Sequence, residues 1–260
     1  MNRITVITIC FNNPEDVIST CHSVDMQLIK PFEHLIIDGS TTPAIRNYLE
    51  TTSQPPYRRW ISEKDEGISD AFNKGILNAK GDIIVLLNSG DTFYDEHALK
   101  MVIDAFEKDN TIQWLHSKYE LHRGHAWIII GKPFARSKMY RGMRSICHQT
   151  MFVKKALHDK HGLYDKHLKI AMDYDFLLRI AGEKFTFLEM PLVKFAPAGT
   201  STVNYSLSLK EIRNSYRKYY GNSLFLTIWQ LRLKLLHWLL GTKPGKLLFK
   251  MKTALKLENM

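Results

Sequence analysis

Three aspartates each follow a short run with strand character: Asp38 after residues 34–37, Asp65 after residues 59–62, and Asp91 after residues 83–87. Carboxylates at successive strand ends suit a nucleotide site in which a divalent cation neutralises a diphosphate. Singly, each has a plainer reading. Asp38 precedes Gly39-Ser40 and suits a turn, and Asp91 suits a cap for the next element. Their joint placement on one sheet edge favours binding. Neither a G-x-x-x-x-G-K-[ST] loop nor a G-x-G-x-x-G after a strand is present, so a metal and side chains, not a glycine cradle, must meet the phosphates. Further along, Asp173 precedes a helix predicted over 174–181 and reads as its N-cap. Asp175, four residues before Arg179, reads as half of a local ion pair. His148 and Gln149 follow a basic loop, residues 131–144, carrying Lys132, Arg136, Lys138, Arg141 and Arg144. That loop is either a solvated surface segment or a closure over phosphates, and the histidine either structural or part of the site.

Strands and helices alternate to position these residues. Strands are predicted at 4–10, 34–37, 59–62 and 83–87, with helices beginning at Pro14 after Asn13, at Thr42-Pro43, and over 69–79. The strands are continuously apolar, which implies helices on both sheet faces. Repeated βαβ order gives a parallel, doubly wound sheet that binds ligands beyond its C-terminal strand ends. Past residue 108 the pattern loosens into strands at 113–117, 126–130, 150–153, 185–188 and 192–195, and a helix over 206–220. The expected class is α/β.

The chain has 260 residues, 45% of them apolar, which excludes disorder and low-complexity scaffolds. Its three cysteines show no C-x-x-C spacing and fit a reducing compartment. No apolar run reaches the length of a membrane span, and the opening run lacks the features of a signal peptide. The formal net charge of +10 is uneven: residues 203–260 hold eleven Lys and Arg against Glu211 and Glu258 alone, leaving the rest almost neutral. Within this basic segment Gln230, Lys234 and His237 form one polar stripe at helical spacing on an otherwise apolar helix. A second segment, residues 246–257, again mixes Leu, Phe and Met with lysines. Such a helix reads as lying on an anionic bilayer, with packing on the rest of the chain or a homo-oligomer interface as the alternatives. A nucleic-acid partner finds no recognition motif.

The run Glu63-Lys64-Asp65-Glu66-Gly67-Ile68-Ser69-Asp70-Ala71-Phe72-Asn73-Lys74-Gly75-Ile76 precedes a strand ending in Asn88-Ser89-Gly90-Asp91. Together they resemble family 2 inverting glycosyltransferases of the GT-A fold. Phe11-Asn12-Asn13, Asp38-Gly39-Ser40, His148-Gln149-Thr150 and Met172-Asp173-Tyr174-Asp175 match in order over roughly residues 3–202. The branch it is most similar to builds bacterial capsule, exopolysaccharide or O-antigen. The resemblance implies a GT-A catalytic domain over 1–202, with a mostly parallel central sheet flanked by helices. Residues 1–108 would form the nucleotide-binding half and 109–202 the acceptor half, leaving 203–260 as a basic, amphipathic helical extension.

The resemblance also implies roles. Phe11 packs on the base, Asp38 accepts a hydrogen bond from it, and Asp65 lies at the base or ribose. Asp70, Asn73 and Lys74 line the donor pocket. Asp91 meets a manganese or magnesium ion on the diphosphate, Asp173 is the general base, and His148 and Gln149 lie near acceptor or diphosphate. The donor is a nucleotide-sugar, a UDP-sugar foremost, and the acceptor a glycan or lipid-linked sugar at the inner face of the cell membrane. There are two departures from the pattern. Asn88 and Gly90 stand where the family carries carboxylates, and Cys10 where a small polar residue is usual. The first departure leaves a catalytically weak partner subunit of a polysaccharide assembly complex as the alternative.

Overall fold

The computed structural model describes residues 2–123, 126–144, 146–196, 204–242 and 245. Its first third alternates as expected: β1 (Ile4–Cys10), α1 (Pro14–Asp25), β2 (Glu33–Asp38), α2 (Ala44–Thr51), β3 (Arg58–Ser62), α3 (Ile68–Asn78) and β4 (Ile83–Leu86). There follow β5 (Thr92–Phe93), α4 (Ala98–Lys108), β6 (Trp114–Arg123), β7 (Ala126–Ile130), β8 (Phe152–Lys154), α5 (Lys155–His161), α6 (Met172–Ile180), β9 (Phe185–Lys194), α7 (Tyr205–Tyr220) and α8 (Leu224–Gly241). Short 3₁₀ turns occupy Arg136–Arg141 and His148–Thr150.

Among the described residues the strands form one sheet in the order β3-β2-β1-β4-β8-β6-β9-β5, with β7 paired to β6. β1 to β4 run parallel, and β8 joins antiparallel to β4. The order reverses at β1, which has β2 on one side and β4 on the other, so a crevice opens beyond the C-terminal ends of β1 and β4. The continuous apolar strands are covered on both faces. Ile7, Ile84 and Leu86 pack with Phe72 of α3 and Phe176 of α6, while Val6, Ile83 and Val85 pack with Leu99, Val102 and Phe106 of α4.

Several sequence expectations shift. The strand expected at 150–153 is a 3₁₀ turn followed by the short β8. The two strands expected at 185–188 and 192–195 are the single β9, whose register against β6 slips on either side of Lys118, the partner of Pro191. Proline has no N–H to give a ladder, and the slip absorbs it. Helix α6 starts at Met172, before the expected 174, so Asp173 lies inside its first turn and is not its N-cap.

The polar stripe of α8 faces the protein. Gln230 is 1% exposed; its Nε2 donates to Leu209 O at 2.8 Å and its Oε1 accepts from Arg213 Nε at 2.7 Å. His237 stacks on Tyr205, ring centres 4.6 Å apart. The apolar side of the helix is therefore turned outward. Among the described residues no helix is long and apolar enough to cross a membrane. The segment 246–257 lies outside the described residues, as does the boundary placed at 202.

Candidate active site

The nucleotide side of the crevice is built from the loops after β1, β2 and β3. Asn12 adopts a left-handed conformation with φ 56°, which asparagine tolerates better than most residues. From there its Oδ1 accepts the N–H groups of Thr41 and Thr42 at 3.1 and 3.2 Å, and Nδ2 donates to Thr41 Oγ1 at 3.0 Å. The β1 and β2 loops are thereby joined, and Phe11 projects beside them, 59% exposed. Asp38 Oδ1 accepts Ser40 N–H at 3.0 Å, the turn that its sequence context predicted. Asp38 also lines a cavity of about 270 Å³ with Thr41, Arg46, Ser62 and Glu63.

Asp65 is drawn to the same place. A Cβ on Gly39 would lie 1.8 Å from Asp65 Oδ2, so only glycine lets the Asp65 carboxylate sit against this backbone. Its Oδ1 accepts Gly67 N–H at 2.9 Å. Cys10 is buried beneath, its Sγ 3.8 Å from Asp38 Oδ1, and burial first, then the Asp38 charge, pushes its thiol well up. It is inert as a nucleophile.

Asp70, Asn73 and Lys74 all lie on α3 but are engaged locally. Asp70 Oδ1 receives Lys166 Nζ at 3.0 Å and Oδ2 the Glu66 N–H at 3.0 Å. Asn73 exchanges two hydrogen bonds with the backbone of Tyr164, both 2.9 Å. Lys74 Nζ meets Glu63 at 2.9 Å and Lys64 O at 2.7 Å. Asp70 and Asn73 tie residues 164–166 to α3, and Lys74 ties α3 to the loop after β3.

The second half of the site gathers around β4 and the His148–Thr150 turn. Asp91 is buried; Oδ1 accepts Ala196 N–H at 2.9 Å and Oδ2 accepts Gln149 Nε2 at 2.8 Å. Burial pushes its carboxyl above the usual range, against the pull of those two donors. Asp91 N–H donates to Asn88 O at 3.1 Å, and Asn88 Oδ1 is a buried acceptor with no partner. Among the described residues no three His, Cys, Asp or Glu side chains cluster as a metal cage. The unpartnered Asn88 Oδ1 and the Asp91 oxygens, each already accepting one protein donor, are hard oxygen donors of the type a magnesium or manganese ion takes beside a diphosphate.

Asp173 stands opposite. Its Oδ2 lies 2.8 Å from His148 Nδ1, and His148 Nε2 lies 3.3 Å from Asn88 Nδ2. Phe72 packs edge-on against the His148 ring at 5.5 Å. Burial disfavours the imidazolium, but the Asp173 charge and hydrogen bond outweigh it, so His148 is raised above the ordinary histidine range. Asp173 Oδ1 is buried and has no partner. Asp175 is separate: buried, it pairs with Arg179 at 3.2 Å, as its spacing predicted.

One residue of this site is absent from the sequence expectations. The Glu211 carboxylate on α7 accepts the N–H groups of Lys169, Ile170 and Ala171 at 3.1, 2.9 and 2.9 Å. It thus holds the three residues that lead into α6, two to four positions before Asp173, near the positive end of the helix dipole. The available signal was its isolation as an acid within a strongly basic segment.

The family model described as Glycosyl transferase family 2 matches residues 5–161. An uncharacterized glycosyltransferase of Mycobacterium tuberculosis is 32% identical over 181 residues, 68% of this chain and 68% of that protein. Chondroitin synthase of Escherichia coli is 27% identical over 194 residues, 70% of this chain but 27% of that larger protein. Among solved structures, S. aureus TarS 1-349 in complex with UDP-GlcNAc superposes with a TM-score of 0.64 at 14% identity, covering 86% of this chain and 69% of that one. A mannosyltransferase from Pyrobaculum calidifontis in complex with GDP-Man and Mn2+ gives 0.64 at 15% identity, covering 99% and 81%. The fold is therefore that of the GT-A glycosyltransferases.

Proposed function

The chain belongs to glycosyl transferase family 2, and from that premise we propose that it is an inverting transferase moving a sugar from a nucleoside-diphosphate donor to a hydroxyl of a glycan or lipid-linked acceptor in bacterial surface polysaccharide synthesis. The observation that carries this reading is the Asp173 carboxylate, one oxygen fixed by His148 and the other buried without a partner.

A sugar hydroxyl is a poor nucleophile at neutral pH, so its proton must be taken as its oxygen attacks. Asp173 Oδ1 takes that proton. The acceptor oxygen bonds to the anomeric carbon while the bond to the diphosphate breaks on the opposite face, and the electron pair leaves with the diphosphate. One displacement inverts the centre and needs a single base. Asp38, Asp65 and Phe11 hold the nucleoside at the ends of β1 to β3. Asp91 and Asn88 would hold a manganese or magnesium ion, which supplies neutralisation of the charge gathering on the leaving diphosphate. His148 orients the base. Gln149 fixes the Asp91 carboxylate.

The loss of carboxylates from Asn88-Ser89-Gly90-Asp91 favours one rival, a catalytically weak partner subunit. A thermal-shift panel of UDP-, GDP- and dTDP-sugars with and without manganese, followed by acceptor-stimulated donor turnover, separates the two. A UDP-sugar should raise Tm by several degrees, more with manganese than with chelator. Absence of stabilisation by any nucleotide-sugar would contradict the donor assignment, and binding without turnover would favour the partner subunit.

A further inference from the structure

Helix α8 is an amphipathic helix mounted with its polar ridge inward. Leu226, Gln230 and Leu233 are buried, while Leu224, Phe225, Ile228, Leu231, Leu235 and Trp238 are each more than half exposed. These six residues lie along the side of the helix away from Gln230. A row of large apolar side chains facing water is costly at about 25 cal/mol per Å² and marks a binding surface.

Cations flank this row on both sides. On one side, α7 and α8 enclose a cleft of about 380 Å³ lined by Lys210, Arg213, Arg217 and Lys234. Among the described residues none of these four forms an ion pair with a carboxylate. Glu211, the acid on the same helix, is spent on the backbone N–H groups ahead of α6. On the other side, the guanidinium groups of Arg141 and Arg144 lie over the Trp229 ring, 5.1 and 5.3 Å from its centre. Arg232 reaches the same ring at 5.1 Å. An apolar row between two sets of uncompensated cations matches the layering of an anionic bilayer, with acyl chains beneath a plane of phosphates.

We propose that the α7–α8 face docks on an anionic lipid bilayer, with the exposed row of α8 set among the acyl chains and lipid phosphates seated in the Lys210–Arg213–Arg217–Lys234 cleft. A second copy of the chain would bury the apolar row but would set these cations against one another, which is why the bilayer is the occupant. The consequence for chemistry is geometric. Glu211 lies on the docking helix itself, and Tyr174 OH, beside Asp173, donates to Met139 O at 2.6 Å in the turn that carries Arg141. Both elements that would meet lipid are therefore fastened to the start of α6 or to the residues just ahead of it.

Vesicle binding by the full chain tests this without donor or acceptor, so its outcome is independent of the transferase reading. The protein should co-sediment with phosphatidylglycerol vesicles at least about tenfold better than with phosphatidylcholine vesicles. L231E/L235E changes two exposed positions and should abolish binding. K210E/K234E should weaken it about tenfold on phosphatidylglycerol alone. Far-UV circular dichroism and an unchanged Tm establish that both variants fold. No binding to phosphatidylglycerol vesicles, equal binding to both lipids, or full binding by either folded variant would overturn the proposal. So would a dimer in solution that L231E/L235E dissociates while the parent ignores vesicles, which would assign the face to a second copy.

Discussion

His148 Nδ1 and Asp173 Oδ2 are held 2.8 Å apart, and this contact leaves Oδ1 of the same carboxylate buried and without a protein partner. The pairing joins two distant pieces of chain, the turn before β8 and the first turn of α6. It directs one oxygen toward the histidine and reserves the other. The Asn88 amide completes the line from the far side of the ring at 3.3 Å. A ring that donates from Nδ1 to Asp173 accepts at Nε2 from the Asn88 amide, which leaves Asn88 Oδ1 free on the other side.

Removing the histidine should therefore disturb the base more than the donor. For His148→Asn, kcat is expected to fall about ten- to a hundredfold, the cost of loosening a catalytic group by an ångström or less. The donor KM should stay within a fewfold of the parent. A rise in donor KM with unchanged kcat would instead place His148 on the diphosphate.

Glu211 should be felt at Asp173 although the two are on different helices. Glu211→Ala strips the acceptor from three backbone N–H groups ahead of α6. Each unpaired buried donor costs about 1–3 kcal/mol unless water reaches it, so Tm should drop by several degrees. Glu211→Gln keeps one acceptor oxygen and should recover part of the loss. In both variants kcat should fall while the calorimetric donor affinity holds. A stability loss with unchanged kcat would make the cap purely structural.

A pH dependence follows from Asp70. The hydrogen bond from Lys166, then the Glu66 N–H, holds its carboxyl below the usual range. A carboxylate whose folded pKa is lowered adds stability above its unfolded value, near 4, and loses it as pH falls through the folded value. Lys166 is half exposed, so solvent screens the pair and its contribution is small. Urea unfolding of Asp70→Asn should show that deficit at neutral pH, shrinking as pH drops below 4. A deficit unchanged by acid would contradict the ionic origin.

What was legible in the sequence follows the range of each interaction. Asp38 could be placed because its turn partner Ser40 is two residues away, and Asp175 because Arg179 is one helical turn away. The parallel strands showed through their continuous apolar runs. Glu211 stayed hidden because its partners are backbone N–H groups about forty residues distant, and backbone donors leave no mark on residue type. Asp173 read as an N-cap for a related reason: its carboxylate pairs with His148, a partner remote in sequence, and α6 begins one residue before it. The stripe on α8 was visible as a pattern, but periodicity does not say which side meets the protein. That was decided by the buried acceptor Leu209 O and by Arg213, both satisfied by Gln230.

The most direct test of the account is the turnover of Asp173→Asn, measured as sugar transfer to acceptor alongside calorimetric donor binding. Asparagine keeps the size of the side chain and removes its capacity to take a proton. Donor affinity equal to the parent with kcat lowered about 10²- to 10⁴-fold is the predicted result. Transfer at a rate within a fewfold of the parent, by a variant that folds and binds donor normally, would contradict it.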